Sequence, residues 1–363
     1  MDFRRLFTLL VPLTVMLLGL PLAGVALAGK AVSPYLAFPP VTAFVAHAPF
    51  SWLAFIALTA MVLVSVTPFV YRVARSKRSA RETPVSRRPL AWWGWLGVAV
   101  VALAWGLAWN RFSWFEPFQE YTFTPIWLGY VLVVNALTSR RSGKCLLSDR
   151  PRYLLALFAL SAAFWWFFEY LNRFVQNWHY VSVGELGGWE YFWQATLPFS
   201  TVLPAVLSTR DYLASFPRLS SGLSRAWPIR LRTPRRLAAL TLLVAGLGLA
   251  GIGVWPEHLY PLLWIAPLLV IVSLQALRDE PTVFQPLADG DWSGVWLAAL
   301  AALACGFFWE LWNYKSLAHW EYSIAYVGRF EIFHMPLLGY AGYLPFGLEC
   351  LAVASLLDRA FMR

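Results

Sequence analysis

Ten apolar runs long enough to cross a membrane divide this 363-residue chain. The chain is 59% hydrophobic and only 13% charged, whereas soluble domains carry roughly 25% charged residues. The runs and the composition predict an all-α, polytopic membrane helix bundle of about ten spans. The runs cover residues 6–28, 51–71, 92–109, 123–138, 153–171, 189–208, 237–254, 259–277, 293–312 and 335–357.

The basic residues lie mainly in alternate loops between these runs. With the N-terminus in the cytoplasm, all but five of the 29 Lys and Arg residues lie on the cytoplasmic side, as the positive-inside rule requires of short loops. We therefore expect an integral protein of the cell or inner membrane with both termini cytoplasmic. The net charge of +10 indicates topology and contact with anionic membrane lipid, and nucleic acid is not an expected partner.

The first run has the features of two kinds of segment. The basic start "MDFRR" and the small residues around Ala26–Gly29 resemble a secretory signal. The apolar run between them, residues 6–28, is longer than the roughly 7–15 residues of a signal core. We expect a retained span rather than a cleaved signal.

An internal repeat at an offset of 141 residues organises most of the chain. Each unit contains four predicted spans, and an even number gives both units the same orientation, as in parallel repeats about an axis normal to the membrane. The matching positions are Trp114 and Trp255, Glu116 and Glu257, Phe167 and Phe308, Glu169 and Glu310, Asn172 and Asn313, Glu190 and Glu331, Phe192 and Phe333, and Pro204 and Pro345.

The repeat predicts five segments. Residues 1–73 form an N-terminal helix pair, and residues 74–91 form a basic cytoplasmic linker. Repeat 1 covers residues 92–210 and repeat 2 covers residues 235–363. A second basic linker, residues 211–234, joins the repeats, and its Pro and Ser content argues against an independent domain there.

Two matching carboxyl–amide pairs, Glu169 with Asn172 and Glu310 with Asn313, end the third span of each unit. The i, i+3 spacing puts each pair on one helical face, and polar residues within a span normally face the bundle interior. One interpretation is a structural clasp, in which the pairs bond to each other or to loop backbone and Arg173 pairs with Glu169. The other is a ligand-binding or catalytic site, and in both cases the glutamates should face a shared interior rather than lipid.

The loops after these pairs, "NWHY" and "HWEY", repeat an aromatic frame around different polar residues. Their Trp and Tyr residues can be interfacial anchors or substrate contacts. The candidate substrate-binding residues are Asn172, Asn313, His179, His319, Trp178, Trp320, Tyr180 and Tyr322.

Metal and cofactor signals are absent from the sequence. His179, His319, His334, Glu169 and Glu310 could form a ligand set, but no H-x-x-x-H or H-E-x-x-H spacing accompanies them, so we expect no metal. The three cysteines show neither a disulfide framework nor a metal spacing. No nucleotide-binding loop or haem-attachment motif is visible, and no cofactor is indicated.

The last run is interrupted by Pro and Gly residues over 336–347, which predicts a kinked or broken helix. Glu349 lies deeper in this run than Glu310 lies in its own. It is either a buried carboxyl hydrogen-bonded across helices or a proton donor, because a carboxyl in apolar surroundings favours its protonated form.

A short series of acidic, aromatic, Gly and Pro positions in repeat 2 has a partial echo in repeat 1. The positions are Glu310, Trp320, Tyr322, Gly328, Pro345 and Glu349, echoed by Glu169, Trp178, Tyr180 and Gly188. This series resembles motifs of small multi-span carotenoid enzymes, namely lycopene-cyclase-type domains and bacterioruberin-type hydratases. The resemblance implies acid chemistry on a polyene or other isoprenoid, with carboxyls protonating an alkene and aromatic rings stabilising the cation. Those cyclase domains typically carry adjacent paired acids after the proline, whereas this chain has one acid there in repeat 2 and none in repeat 1.

Three functional hypotheses follow. The first is an enzyme acting on an isoprenoid or lipid, with Glu169, Glu310 and Glu349 as catalytic residues. The second is a transporter or channel for a small solute or ion, which should have a path past Glu349. The third is a non-catalytic scaffold or lipid-binding subunit, in which the Glu/Asn pairs should satisfy each other. Membrane lipid and a hydrophobic small molecule are the expected partners, and the sequence indicates no oligomeric state.

Reporter fusions test the predicted topology. Reporters inserted within residues 30–47 and 172–188 should both report the outer side of the membrane, because the loops on the other side carry most of the positive charge. A cytoplasmic signal from either loop would overturn the assignment.

Overall fold

The computed structural model describes residues 3–40, 43–76, 89–184 and 186–361. Most of the predicted linker 74–91 lies outside these residues. The described chain is mostly helical, as predicted, with two small two-stranded sheets.

The helices follow one another with few long loops. They are α1 (Phe3–Thr14), α2 (Leu20–Leu27), α3 (Ser33–Leu36), α4 (Trp52–Arg75), α5 (Trp92–Trp109), α6 (Phe123–Ser142), α7 (Leu146–Asp149), α8 (Pro151–Val175), α9 (Gly188–Phe199), α10 (Val202–Ala214), α11 (Pro217–Ser220), α12 (Pro234–Val254), α13 (Pro256–Leu259), α14 (Ala266–Leu277), α15 (Ser293–Asn313) and α16 (Tyr343–Phe361). A π-helical turn, Val15–Gly19, joins α1 to α2, and 3-10 turns cover Ser113–Tyr121, Tyr260–Trp264, Gln285–Asp289 and Leu337–Gly342. The strands are β1 (Trp178–Val181), β2 (His319–Tyr322), β3 (Glu331–Ile332) and β4 (Met335–Pro336).

Seven helical segments in the described part of the chain are long and apolar enough to cross a membrane. Counting each of two bent helix pairs, Ser113–Ser142 and Pro256–Leu277, as one span gives up to nine. Membrane-spanning helices are therefore present, as predicted. The seven segments are Thr8–Leu27, Trp52–Arg75, Trp92–Trp109, Pro151–Val175, Pro234–Val254, Ser293–Asn313 and Leu337–Asp358.

The predicted span at residues 189–208 is not one continuous helix. It is divided into α9 and α10 around Ser200 and Thr201, because Pro204 has no N–H to bond to the carbonyl one turn earlier and its ring crowds that turn. The buried Ser161 of α8 hydrogen-bonds two backbone groups that the break leaves without helical partners. Its hydroxyl donates to the Phe199 carbonyl at 2.6 Å and accepts from the Leu203 N–H at 3.0 Å.

The N-terminal helices differ in how they pack. Helix α2 lies against α12 so closely that a Cβ added at Gly24 would lie 1.8 Å from the Ala250 carbonyl oxygen, and one added at Gly253 would lie 2.5 Å from the Pro21 oxygen. Such backbone approach is typical of helix packing through small residues in membranes. Helix α4, by contrast, has none of its candidate span buried. The first predicted span is thus an integral part of the bundle.

The linker between the predicted repeats is folded against its neighbours. Leu223 is fully buried, and Arg72 of α4 donates to the carbonyls of Gly222 and Arg225. The N–H of Ala226 donates to the Gly290 carbonyl at 2.8 Å. These contacts fix the linker to α4 and to the loop before α15, without forming a separate domain.

The loops "NWHY" and "HWEY" pair with each other as the antiparallel strands β1 and β2. Trp178 is opposite Tyr322, Tyr180 is opposite Trp320, and His179 is opposite Glu321. Each Trp of one strand therefore faces the Tyr of the other, and the central pair joins two residues that occupy the same place in their loops. An antiparallel ladder of this kind has local two-fold symmetry.

A disulfide across the central pair tests the ladder. Cα atoms of opposed residues in an antiparallel ladder lie about 4.5–5.5 Å apart, within the disulfide range of about 4.4–6.8 Å. We expect the double variant His179→Cys/Glu321→Cys to cross-link. Cleavage at a protease site placed in the exposed stretch 230–233 should then leave the two halves joined until a reductant is added.

The single-cysteine variants are the matched controls, since Cys145, Cys305 and Cys350 are free and buried. If the two halves of the double variant separate without reduction, the strand pairing is wrong.

Candidate functional site

Glu169 lies on α8 and is buried, with 2% of its surface exposed. Its Oε1 atom accepts three hydrogen bonds, from the Tyr180 hydroxyl at 2.6 Å and from the indole N–H groups of Trp165 and Trp178 at 3.2 Å each. The other oxygen, Oε2, has no partner among the described residues. The carboxyl is thus held by aromatic donors on one side only.

Glu310 on α15 is arranged in the same way and has no exposed surface. Its Oε1 accepts from the hydroxyls of Tyr322 at 2.7 Å and Tyr343 at 2.8 Å. Trp320 donates to the Tyr322 oxygen at 2.8 Å, and Oε2 again has no partner among the described residues. Tyr343 therefore supplies a donor that has no counterpart around Glu169.

The two asparagines have a different role from the glutamates. The Asn172 amide donates to the Trp178 carbonyl at 2.8 Å, and its oxygen accepts from the Asn177 N–H at 2.8 Å. Asn313 bonds in the same manner to the carbonyl and the N–H of Trp320, at 2.7 and 2.9 Å. Each amide thus clasps the strand that follows its own helix. The clasp interpretation describes the asparagines, while neither glutamate bonds to an asparagine.

Arg173 does not pair with Glu169 through a hydrogen bond or close ion pair. Its guanidinium donates instead to the carbonyls of Tyr35 and Ala37, at 2.9 and 2.8 Å. The side chain thereby anchors the segment after α3, and Glu169 keeps only aromatic donors.

A cavity of about 160 Å³ lies between the two clusters and is lined by both halves of the chain. The donors to both carboxyls line it, while Glu169 and Glu310 lie behind those donors and outside the lining. Glu349 and His179 are also outside it. The lining residues are Glu120, Phe123, Trp165, Trp178, Tyr180, Val183, Tyr191, Gln194, Ala195, Pro198, Phe199, Val202, Trp264, Trp309, Ala318, His319, Trp320, Tyr322, Met335, Gly339, Gly342 and Tyr343.

Tyr343 and Trp165 are two donors at the site that the sequence analysis did not identify. The ring of Tyr343 packs on the backbone of α15, where a Cβ added at Gly306 would lie 2.3 Å from it. Trp165 lies one turn before Glu169, at i−4 on the same helical face. A search for aromatic residues one turn before each buried carboxyl would have found Trp165, whereas only the tertiary structure shows Tyr343.

The strand tyrosines remain phenols at physiological pH. Burial, followed by the neighbouring Glu169, raises the pKa of Tyr180 well above its usual value. Burial and Glu310 raise the pKa of Tyr322 in the same way. Both phenol protons are therefore retained, and in this structure each is donated to the glutamate behind it.

Glu349 lies on α16 with no exposed surface. Both carboxyl oxygens are without a partner among the described residues, so the expected hydrogen bond across helices is not formed. The residue lies apart from the cavity lining, and the path past Glu349 that a transporter would need does not pass through this cavity.

Four polar residues gather around the β1–β2 ladder. His319 and Glu321 are 3.4 Å apart between Nε2 and Oε1, and His179 Nε2 lies 3.8 Å from Glu321 Oε2. The rings of His319 and His334 are stacked with centroids 5.3 Å apart. Of the possible ligand set named from the sequence, His319 and His334 contact each other and His179 lies near Glu321. The carboxylate among them is Glu321 rather than Glu169 or Glu310.

Comparison with known proteins finds no matching family model, curated protein or solved structure. The function therefore has to be argued from the geometry of the cavity and of the buried groups around it.

The asparagine clasp predicts a loss of stability. Asn313→Ala removes both bonds to Trp320 and leaves a partly buried backbone carbonyl and N–H without the amide that pairs them, which costs about 1–3 kcal/mol. Thermal unfolding in detergent should show a correspondingly lower melting temperature.

Asn110→Ala is the matched control, because Asn110 is on the protein surface and makes one bond, to the Gly106 carbonyl. It should change the free energy of unfolding by less than about 0.5 kcal/mol. Equal losses in the two variants would contradict the clasp.

Proposed function

We propose that the protein binds an apolar molecule of the isoprenoid or lipid class in the cavity between its two halves, and transfers protons on it. The observation that carries the proposal is the double tyrosine–carboxyl arrangement. Tyr180 on one side, and Tyr322 with Tyr343 on the other, present their hydroxyls in an aromatic wall and each bonds a buried glutamate behind it.

The wall and size of the cavity favour an apolar ligand. Five Trp side chains contribute to the lining, which is mostly apolar. Its polar members are Glu120, Gln194, His319 and four tyrosines. The volume of about 160 Å³ is close to that of an engineered apolar cavity of about 150 Å³ that holds benzene. A ring or a short branched chain end fits this space, and a longer molecule would extend beyond it.

The Tyr322–Glu310 pair can run an acid–base cycle without a cofactor. When Glu310 carries a proton, the bond reverses: Glu310 donates to the phenol oxygen and the hydroxyl hydrogen of Tyr322 turns to the ligand. The phenol then gives its proton to an alkene carbon, and the proton of Glu310 replaces it on the phenol oxygen. The resulting cation is stabilised by the surrounding indole and phenol rings. The same pair then removes a proton from a neighbouring carbon, so that an isomerised or cyclised alkene is formed and no proton is gained or lost.

This role assigns different functions to the candidate residues. Tyr180, Tyr322 and Tyr343 contact the molecule, and Glu169 and Glu310 act through them as proton carriers. Trp178 and Trp320 line the cavity and orient the tyrosine–carboxyl groups.

We also propose that the chain crosses the membrane ten times, with two parallel repeats and both termini in the cytoplasm. Two observations support the repeats. Helix α10 begins at Val202 and α16 begins at Tyr343, and these positions are separated by the 141-residue repeat offset. The symmetric β1–β2 pairing adds a pseudo-two-fold axis through the pair His179 and Glu321. In this arrangement the broken segment 189–208 crosses the membrane as the counterpart of 335–357.

Substitution of Glu310 tests the proposed chemistry. Glu310→Gln keeps an acceptor for the tyrosines but removes the transferable proton, and Tyr322→Phe removes the donor itself. General acid–base groups contribute about 10²–10⁴-fold, so conversion should fall at least about 100-fold in both variants. Mass spectrometry of apolar extracts from expressing cells should show a product with the wild type that both variants lack.

Tyr314→Phe is the control, because Tyr314 follows α15 and is 40% exposed. Ala195→Phe should fill the cavity and remove both the product and any co-purifying apolar molecule, whereas Ala57→Phe on the exposed face of α4 should remove neither. If the folded Glu310→Gln variant makes the same product at the wild-type rate, the proton-transfer role is refuted.

A further inference from the structure

One cluster of metal-ligating side chains is left without a role by the proposed chemistry. One nitrogen of His319, one nitrogen of His334 and one carboxylate oxygen of Glu321 all lie within 4.8 Å of one another. The three residues come from two separate pieces of chain, the strand β2 and the turn between β3 and β4. This separation explains why no metal-binding spacing is visible in the sequence.

We propose that these three residues bind a divalent metal ion of the first transition row, with Zn²⁺ as the preferred ion. Two imidazoles and one carboxylate are a common ligand set for such ions. The set differs from the group considered on sequence grounds, since Glu321 takes the place of Glu169 and Glu310.

The strand geometry directs the ligands to one place. His319 and Glu321 are two residues apart on β2, so their side chains lie on the same face of the ladder. Their Nε2 and Oε1 atoms are 3.4 Å apart. Ligand atoms bound at about 2.05 Å with a tetrahedral angle lie about 3.3 Å from each other, so this pair already has the separation that zinc requires.

In the neutral form of each histidine, contact with a backbone carbonyl selects the tautomer. Nδ1 of His319 lies 2.9 Å from the Leu317 oxygen, and Nε2 of His334 lies 3.2 Å from the Tyr314 oxygen. A carbonyl can only accept, so these nitrogens carry the hydrogen and the opposite nitrogens keep a lone pair. Metal-bound histidines nearly always donate their second N–H in this way.

The lone pair of His319 Nε2 then faces the carboxylate of Glu321, and two acceptors at this distance need a cation between them. A metal ion satisfies both atoms and His334 together, whereas a proton would satisfy one histidine alone.

His179, with Nε2 3.8 Å from the second oxygen of Glu321, is placed to hold the carboxylate or to complete the ligand set. Three ligands leave an open position, as in catalytic zinc sites. Of the three residues, His319 also lines the cavity.

Metal analysis of the full chain, purified in detergent through a tag without histidine, tests this site. Elemental analysis after incubation with Zn²⁺ and desalting should find about one ion per chain. Co²⁺ added to chelator-treated protein should produce the visible absorption of a four-coordinate site with nitrogen ligands. Zn²⁺ should also raise the melting temperature.

The variants His319→Ala, His334→Ala and Glu321→Gln should each weaken Zn²⁺ binding at least tenfold and abolish the Co²⁺ spectrum. His258→Ala is the matched control, since His258 contacts the Tyr326 hydroxyl and lies outside the cluster. Far-ultraviolet circular dichroism and gel filtration establish that each variant is folded, and Glu321→Gln keeps the shape of the side chain if an alanine variant fails to fold.

Two outcomes would overturn the proposal. Equal binding by the wild type and all three variants would mean an adventitious ion only. Absence of bound Zn²⁺ and of the Co²⁺ spectrum in the wild type would mean that Glu321 is paired with a protonated histidine. Neither outcome bears on the proton-transfer role of the tyrosine–glutamate pairs, because no activity is measured.

Discussion

The pairing of β1 with β2 is the interaction on which the site depends. Each strand is clasped by the asparagine of its own preceding helix, at Asn172 and Asn313, and the ladder then ties the two helix ends together. Trp178, Tyr180, Trp320 and Tyr322 are thereby brought to the wall of one cavity. The ladder therefore fixes the donors of one carboxyl relative to the donors of the other.

Each buried carboxyl accepts its hydrogen bonds from aromatic donors rather than from a cationic side chain. An isolated polar group in apolar surroundings costs several kcal/mol unless it is hydrogen-bonded, and phenol and indole groups supply those bonds while presenting an apolar face to the cavity. This arrangement allows an ionisable group to lie next to a hydrophobic ligand site. The second oxygen of Glu169 and of Glu310, which no described residue bonds, leaves each carboxyl free to carry a proton.

Much of the site could be predicted from the sequence, because polar residues are rare in apolar runs and the repeat marks the same positions twice. Glu169, Glu310 and both asparagines were identified in this way, and all four are buried. The sequence could not separate the role of the glutamates from that of the asparagines, since both are compatible with one helical face. It also could not reveal the ladder, because four residues with alternating Trp and Tyr are too short to distinguish a strand from a loop.

The contributions of Tyr343 and His334 depend on contacts between distant segments, for which no local pattern exists. Pro204 could have predicted the break in residues 189–208. The hydrogen bonds by which Ser161 satisfies the backbone at this break could not be predicted, because Ser161 lies on another helix.

The central pair of the ladder joins His179 to Glu321, two unlike residues at matching places. In a symmetric dimer of a single unit, a residue on the two-fold axis would have to face its own copy. A histidine would then oppose a histidine, or a glutamate a glutamate, and two like charges would meet at close range. Joining both units in one chain removes this restriction, because each half can change independently. Under the proposed repeat, a fused chain can place a base and an acid opposite each other on its pseudo-symmetry axis, which a dimer of identical units cannot.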